Sequence, residues 1–269
     1  MAILKHGDHG AAVADLQRWL NHHGAALPAD GWFGDATETA LVTFQRKMGL
    51  IADGSAGRAT MLALSTGTVP AKRLLAADVK AAAERLQAHP AALCAVLDVE
   101  SRGEGFLPDG RPAILFERHV FYKRLAAAGA DVESMATRFP ALVNPQRGGY
   151  AGGSAEWLRL TNAQGLAGEH SAAAYESCSW GLFQIMGYHW EHLGYGSCAE
   201  FVAAMNRDEA AHLEAFARFV ESDPALLKAL RARKWADFAK LYNGPAYKEN
   251  RYDVKLASAF EHHDRLASV

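Results

Sequence analysis

One apolar stretch near the middle of the sequence guides the interpretation of the rest: Leu93-Cys94-Ala95-Val96-Leu97-Asp98-Val99-Glu100-Ser101-Arg102-Gly103. Four of its residues are spaced i, i+3, i+4 and i+7 and therefore share one face of a predicted helix: Leu93, Val96, Leu97 and Glu100. Pro90 suits the first turn of this helix, where a missing N–H costs nothing. Gly103 and Gly105 are typical of its end. The stretch predicts a short apolar helix that ends near a carboxylate.

Glu100 is the carboxylate on this otherwise apolar face. Burial disfavours the charged form of a carboxyl group and so raises its pKa. A general acid that works near neutral pH needs such a raised pKa. Glu100 is therefore a candidate catalytic acid. The alternative is a structural role, in which Glu100 pairs with Arg102 or with another base at the helix end.

The composition is that of an ordinary globular protein. The 269 residues are 50% hydrophobic and 22% charged, which is enough apolar material for a core in one large domain or two unequal ones. The net charge is −2 and the pI is about 6.6. Nothing in this balance attracts polyanions over a long range, so nucleic acid is not the expected partner.

The three cysteines, Cys94, Cys178 and Cys198, are too few for a disulfide framework and fit synthesis in a reducing compartment. The first residues lack the long apolar segment of a signal peptide. No apolar run approaches the ~20 residues that a membrane span needs, so membrane insertion is not expected. A substrate outside the cytoplasm would require a separate protein that lets the chain out.

A short motif near the N-terminus occurs twice. Asp30–Leu41 and Asp53–Leu64 share an aspartate, two glycines, a threonine, an alanine and a leucine in register. Each copy predicts a tight Asp-Gly turn, a second glycine and then a helix with a polar residue near its start. The two copies together predict a small helical pseudo-repeat.

This N-terminal pattern resembles the three-helix peptidoglycan-binding domain of many cell-wall hydrolases, over residues 8–64. The residues that carry the resemblance are Gly10, Val13, Leu16-Gln17, Leu20, Asp30-Gly31, Phe33-Gly34, Thr37, Ala40-Leu41, Phe44-Gln45, Gly49-Leu50, Asp53-Gly54, Gly57 and Thr60. The resemblance implies binding to the cell wall without catalysis. Most of these residues also suit plain turn and core positions. Trp32 is the better candidate for the binding surface, because an exposed indole can stack on a sugar or a peptide.

The segment Ser65–Pro70 is small, polar and ends in proline, which indicates a linker. We therefore predict a first domain over residues 1–65, a linker over 66–73 and a second domain over 74–269. The second domain is predicted to be mainly α, with at most a small β element.

Several elements of the second domain are predicted from local pattern. Ala113–Glu117 is a candidate strand, and Asn144–Gly153, rich in Gly, Pro and Asn, is a predicted surface loop. Three segments are predicted to be helical: His119–Ala128, Glu209–Val220 and Pro224–Arg231.

Three short motifs follow one another in the second domain: Glu100-Ser101, Ser179-Trp180-Gly181-Leu182-Phe183-Gln184-Ile185-Met186 and Leu241-Tyr242-Asn243-Gly244-Pro245. In this order they are similar to the lysozyme-like superfamily, which includes goose-type lysozymes and soluble lytic transglycosylases. Together with Ile114–Tyr122 and Ala174–Ser177, they most resemble the N-acetylmuramidase domain of modular phage endolysins, over residues 75–269. The resemblance implies a lysozyme-like, α-rich catalytic domain.

The same resemblance implies roles for individual residues. Glu100 becomes the catalytic acid. Gln184 would line the glycan cleft from a helix that starts after Gly181, with Ser179 nearby, and Tyr242 with Asn243 would close the other side. The structural alternatives are a buried amide for Gln184 and a core aromatic for Tyr242.

The sequence offers several candidates for a second catalytic carboxylate. Inverting hydrolysis needs a base ~6.5–9.5 Å from the acid, and retention by a carboxylate nucleophile needs ~5–5.5 Å. Glu117 is the first candidate because it ends an apolar strand, although it could form a structural ion pair with Arg118. The alternatives are Glu169, Glu176 and Asp98. Lytic transglycosylases use a single Glu, so a missing partner would indicate that reaction.

Other enzyme classes find less support. No His-Glu-x-x-His motif and no cysteine pair with zinc-site spacing is present, so neither a metal site nor a cofactor is expected. A cysteine peptidase would need Cys178 with His170 or His189. The non-enzyme alternative is a wall-binding phage protein with an inactive lysozyme-like domain.

The sequence therefore predicts a monomeric, two-domain endolysin whose partner is bacterial peptidoglycan. It would cleave the β-1,4 bond between N-acetylmuramic acid and N-acetylglucosamine, while the N-terminal domain raises the local substrate concentration. We expect synthesis in the host cytoplasm and action on the wall after release through a separate membrane-permeabilising protein.

Overall fold

The computed structural model describes residues 3–101 and 104–268. They fall into two compact units, Met1–Val99 with Lys228–Val269 and Glu100–Leu227. Residues 66–99 and 228–269, which the sequence assigns to the linker and the second domain, thus belong to the first unit. No helix in the described part of the chain combines the length and the apolar character needed to cross a membrane.

Helices predominate, and the predicted mainly α fold with a small β element is confirmed. The α-helices are α1 Ala11–His22, α2 Asp35–Lys47, α3 Arg58–Thr66, α4 Ala76–Leu86, α5 Pro90–Glu100, α6 Arg118–Ala127, α7 Val132–Arg138, α8 Ala155–Ala167, α9 Ala172–Glu176, α10 Cys198–Arg207, α11 Glu209–Ser222, α12 Pro224–Arg231, α13 Trp235–Asn243 and α14 Tyr252–Ala267. Short 3-10 turns cover Gly168–His170, Gly187–His189 and Pro245–Lys248. The strands are β1 Ile114–Phe116, β2 Cys178–Trp180 and β3 Ile185–Met186.

In the first unit, α1, α2 and α3 pack around one apolar cluster. Its buried members are Val13, Leu16, Leu20, Phe33, Leu41, Phe44, Leu50, Ala56, Ala63 and Leu64. The first Asp-Gly turn also depends on a close backbone approach. Gly31 has a φ of +75°, and a Cβ there would lie 2.9 Å from the carbonyl oxygen of Gly10. A side chain at this position would therefore be strained and would also clash.

A buried glutamine holds each copy of the repeated turn. The Gln17 amide donates to Asp30 Oδ1 at 2.9 Å and to Thr37 Oγ1 at 3.1 Å, and its oxygen accepts from the N–H of Gly31 at 2.9 Å. Gln45 repeats this arrangement in the second copy, on Asp53, Thr60 and Gly54, at 2.7, 3.3 and 3.0 Å. Asp, Gly and Thr recur in the sequence because the two copies share the same hydrogen-bonding pattern around their glutamine.

The C-terminal helix α14 contacts both α2 and the second Asp-Gly turn, within the same unit. Arg265 donates to both carboxylate oxygens of the buried Glu38, at 2.8 and 3.2 Å. The ring of His262 places Nε2 2.9 Å from the carbonyl oxygen of Asp53. An isolated segment of residues 1–65 would leave Glu38 without Arg265, so the boundary at residue 65 remains a prediction.

The second unit contains a three-stranded antiparallel sheet in the order β1-β2-β3. Phe116 lies opposite Cys178, and Ser179 lies opposite both Leu115 and Met186. The predicted strand at Ala113–Glu117 is confirmed over Ile114–Phe116, whereas Ala113 precedes the strand and Glu117 is the N-cap residue of α6. The other three predicted helices are also present, as α6, α11 and α12.

One sequence expectation is wrong. No helix begins after Gly181, because residues 181–184 form the turn of the β2–β3 hairpin. Gly181 and Gln184 have φ values of +68° and +51°, which a right-handed helix does not accommodate. The chain therefore reverses direction, and Ile185 pairs with Trp180.

Candidate active site

Glu100 is the last residue of α5, as the apolar periodicity predicts. Leu93, Val96 and Leu97 are buried on the same face, and Glu100 itself is half-buried. Arg102, the alternative structural partner, lies outside the described residues, so that alternative stays open.

Glu117 lies at the junction of β1 and α6, where two side chains approach its carboxylate. The hydroxyl of Tyr150 donates to Glu117 Oε2 at 2.9 Å. His119 Nδ1 lies 3.1 Å from the same oxygen, and the side chains of His119 and Glu117 are both largely shielded from solvent. Both contacts engage Oε2, so they fix the orientation of the carboxylate.

Burial lowers the pKa of His119, although the neighbouring Glu117 carboxylate acts in the opposite direction. His119 is therefore neutral near pH 7. Partial burial raises the pKa of Tyr150, and its hydrogen bond to Glu117 acts in the same direction. Tyr150 thus keeps its proton and donates a hydrogen bond to the carboxylate.

Arg118 does not neutralise Glu117. Its guanidinium donates to three backbone carbonyls, those of Pro140, Gln146 and Arg147, at 3.2, 3.0 and 3.1 Å. This arrangement replaces the structural ion pair with Glu117 that the sequence left open. It also ties the Gly-rich segment at residues 144–153 to the start of α6.

Glu156 and Arg159, on α8, were not singled out by the sequence. Glu156 is fully buried, and its carboxylate accepts from the N–H groups of Phe116, Ala151 and Gly152 at 3.1, 2.6 and 2.9 Å. Arg159 Nη1 donates to Glu156 Oε2 at 2.7 Å and to the carbonyl of Phe116 at 2.9 Å. Their i, i+3 spacing was a visible signal, but such pairs are common on exposed helices.

Burial alone would raise the pKa of Glu156, but the hydrogen bonds from the backbone and from Arg159 outweigh it and lower the pKa. The carboxylate is thus held in its charged form. Because Phe116 precedes Glu117 and Ala151 follows Tyr150, Glu156 fixes both chain segments that carry the Tyr150–Glu117 contact.

The other candidate carboxylates have different surroundings. Glu176 has two partners: Trp190 Nε1 donates to its Oε1 at 2.8 Å, and Arg124 Nε lies 2.8 Å from its Oε2 in an ion pair. Asp98 Oδ2 lies 2.7 Å from His263 Nε2. The Glu169 side chain is 89% exposed, so it is well solvated.

Ser179 and Gln184 meet in the β2–β3 hairpin. The Ser179 hydroxyl donates to Gln184 Oε1 at 2.8 Å, and Gln184 Nε2 donates to the carbonyl of Gly181 at 2.8 Å. These contacts match the structural alternative for Gln184, an amide that satisfies backbone groups. They hold the turn in its strained conformation.

His212, on α11, supports the same turn and was also missed by the sequence reasoning. Its Nδ1 accepts from the N–H of Leu182 at 3.1 Å, so the proton is assigned to Nε2, which lies 2.7 Å from the carbonyl of Met205. A Cβ at Gly181 would lie 2.6 Å from His212 Nδ1. Gly181 is therefore required both by its positive φ and by the imidazole beside it.

Three further predicted site residues lie in the first unit. Tyr242 and Asn243 end α13, both half-buried, and Tyr242 stacks on Phe238 with ring centroids 5.6 Å apart. Trp32 is 56% exposed at the first Asp-Gly turn and stacks with His9. An exposed indole at that turn fits the predicted binding surface.

The cysteines are unsuited to nucleophilic catalysis. Burial raises the pKa of Cys94 and Cys198 to about 12. The pKa of the fully buried Cys178 is also raised, chiefly by burial. These thiols stay protonated near pH 7, which argues against a cysteine peptidase. Within the described residues, no three His, Cys, Asp or Glu side chains are grouped as metal ligands would be.

Comparison with known proteins gives two family matches. Residues 89–264 match the N-acetylmuramidase family, and residues 9–64 match a family described as a peptidoglycan binding domain. A crystal structure of the Burkholderia AP3 phage endolysin is 53% identical, with a TM-score of 0.93, and the match covers 98% of this chain and 100% of that one.

Two curated relatives match over short segments. A "Probable N-acetylmuramoyl-L-alanine amidase" of Bacillus licheniformis is 44% identical over 72 residues, which is 26% of this chain and 20% of the relative. A "Zinc D-Ala-D-Ala carboxypeptidase" of Streptomyces albus G is 47% identical over 60 residues, which is 21% of this chain and 24% of the relative. The match thus spans a quarter or less of either relative.

Proposed function

This chain belongs to the N-acetylmuramidase family, and we propose that it is an endolysin that cleaves the β-1,4 bond between N-acetylmuramic acid and N-acetylglucosamine in bacterial peptidoglycan. The observation that carries this proposal is the family match over residues 89–264, which contains both Glu100 and Glu117. The likeness to a phage endolysin over nearly the whole chain supports it.

We assign Glu100 as the general acid that protonates the leaving glycosidic oxygen. Its half-buried position at the end of an apolar helix face supports this role, because poor solvation favours the protonated form. Glu117 is assigned as the second carboxylate. The hydrogen bond that Tyr150 donates to its Oε2 orients the carboxylate, which supports a role as base or nucleophile.

The remaining assignments concern glycan binding. Ser179 and Gln184 shape the hairpin turn, and Tyr242 and Asn243 are proposed to contact the glycan, as the resemblance implies. Glu169 is well solvated and Glu176 forms an ion pair with Arg124, so both are less suited to catalysis than Glu117. Asp98 contacts His263, within the first unit.

The products of digestion test the reaction. Purified peptidoglycan treated with the wild-type chain should yield fragments with reducing muramic acid ends, detected by mass spectrometry. Glu117→Gln should lower the yield of these ends by about 10²-fold or more, the usual scale of acid–base catalysis. Anhydromuramic ends from the wild-type chain would instead indicate a transglycosylase with one carboxylate. A wild-type rate in Glu117→Gln would show that Glu117 is structural.

Wall binding is assigned to the N-terminal module, residues 1–65, through Trp32. In a catalytically inactive chain, Trp32→Ala should weaken binding to outer-membrane-stripped cells by about three- to tenfold, the range expected for losing one aromatic contact. Trp19→Ala is the matched control, since Trp19 is also exposed, on α1. Equal binding by the Trp32 and Trp19 variants in a cell-sedimentation assay would remove Trp32 from the wall-binding surface.

The cellular setting is also a proposal. We infer that the chain acts as a monomer, is made in the host cytoplasm, and reaches peptidoglycan after release by a separate membrane-permeabilising protein. The likeness to a phage endolysin supports this setting.

A further inference from the structure

Tyr150 is an exposed aromatic residue that is held against a carboxylate. It is 46% exposed, yet its hydroxyl donates to Glu117 at 2.9 Å. An exposed aromatic residue needs no explanation when it stands alone. Here the hydrogen bond fixes the ring beside the carboxylate assigned to the reaction, which singles Tyr150 out among the exposed apolar side chains of its unit.

The loop that carries Tyr150 is anchored on both sides of the tyrosine. Before it, Arg118 binds the carbonyls of Gln146 and Arg147, and a Cβ at Gly149 would lie 3.1 Å from Arg118 Nη1. After it, the buried Glu156 accepts from the N–H groups of Ala151 and Gly152. Such anchoring lowers the entropic cost of ordering the loop when a ligand binds.

We propose that Tyr150 is a glycan-contacting residue of the active site, whose ring packs on the face of an N-acetylhexosamine next to the scissile bond. This inference rests on the proposed function, because the ligand is the glycan which that function assigns. A tyrosine ring offers a large, rigid apolar face with only two side-chain torsions to order, and its hydroxyl retains a polar partner. The hydroxyl at the same time positions Glu117.

Binding to short glycans separates the ring from the hydroxyl. The probe is a soluble oligosaccharide of alternating N-acetylglucosamine and N-acetylmuramic acid without peptide, titrated calorimetrically into the full chain carrying Glu100→Gln. Adding Tyr150→Ala should raise the Kd about tenfold, which corresponds to ~1.4 kcal/mol. Tyr150→Phe should keep the Kd of the parent, because the ring remains. Tyr188→Ala is the control, since Tyr188 is also exposed in this unit.

Kinetics on peptidoglycan complete the test in an otherwise wild-type chain. Tyr150→Ala should raise KM, whereas Tyr150→Phe should lower kcat at unchanged KM, because the hydroxyl no longer holds Glu117. An unchanged Kd in Tyr150→Ala would overturn the inference. So would a Kd that rises as much in Tyr150→Phe as in Tyr150→Ala, because the ring would then contribute nothing.

Failure of this inference is distinct from failure of the proposed function. If the wild-type chain cleaves the glycan and Tyr150→Ala binds it normally, only the role of Tyr150 is wrong. If the wild-type chain releases no glycan fragments at all, the proposed function is wrong and the inference falls with it.

Discussion

Glu100→Gln is expected to abolish most lytic activity while leaving the fold intact. The amide is nearly the same size as the carboxyl group, so the apolar face of α5 keeps its packing. The amide of Gln has no acidic proton to give to the leaving oxygen. Loss of a general acid lowers the rate by ~10²–10⁴-fold. The measurement is the initial rate of turbidity loss with outer-membrane-stripped cells, with the circular dichroism spectrum as a check on folding.

A matched control comes from Glu169→Gln, which changes a carboxylate whose side chain is 89% exposed. That variant should lyse cells at the wild-type rate. Near-normal lysis by a folded Glu100→Gln chain would remove Glu100 from the mechanism and would move the acid to another carboxylate of the domain.

Glu156→Gln is expected to destabilise the protein by about 3–5 kcal/mol, the usual cost of breaking a buried ion pair. The substitution leaves the Arg159 guanidinium buried without its counter-charge. It also turns an amide N–H₂ toward N–H groups that now donate to the carboxylate. The free energy of unfolding is measured by urea titration of the full chain, followed by tryptophan fluorescence.

The control for this prediction is Glu214→Gln. Glu214 also pairs with an arginine on its own helix, Arg218, at 2.7 Å, but that pair is partly exposed to solvent. Glu214→Gln should lower the free energy of unfolding by at most about 1 kcal/mol. Equal destabilisation by the two variants would show that burial of Glu156 adds nothing to the stabilising effect of its ion pair.

The destabilisation by Glu156→Gln should depend on pH in a definite direction. The native pKa of Glu156 is lowered below that of an unfolded Glu, ~4.3. Its contribution to stability is therefore complete above the unfolded pKa and is lost as the pH falls through the native one. The difference between wild type and Glu156→Gln should shrink in acid, and a difference that grows in acid would contradict the assignment.

Local patterns in the sequence determined several helices and turns of this protein. The periodicity of Leu93, Val96 and Leu97 is sufficient to predict helix α5 with Glu100 at its end. The repeated Asp-Gly turns predict a small helical pseudo-repeat, because Asp and Gly favour tight turns. Such signals are short-range, since helix and turn preferences depend on residues a few positions apart.

Only the tertiary structure decided which polar residues are buried and paired. Glu38 and Arg265 are 227 positions apart in the sequence, and no local pattern links them. In the sequence, Glu156 and Arg159 resemble an ordinary surface pair. In the folded protein they are buried against β1 and against the loop that carries Tyr150. Gln184, expected in a helix, lies in a hairpin turn whose Leu182 N–H donates to His212 of α11, 30 positions away in the sequence. In each case long-range packing decides, because burial of a polar group is tolerated only where distant backbone and side chains satisfy it.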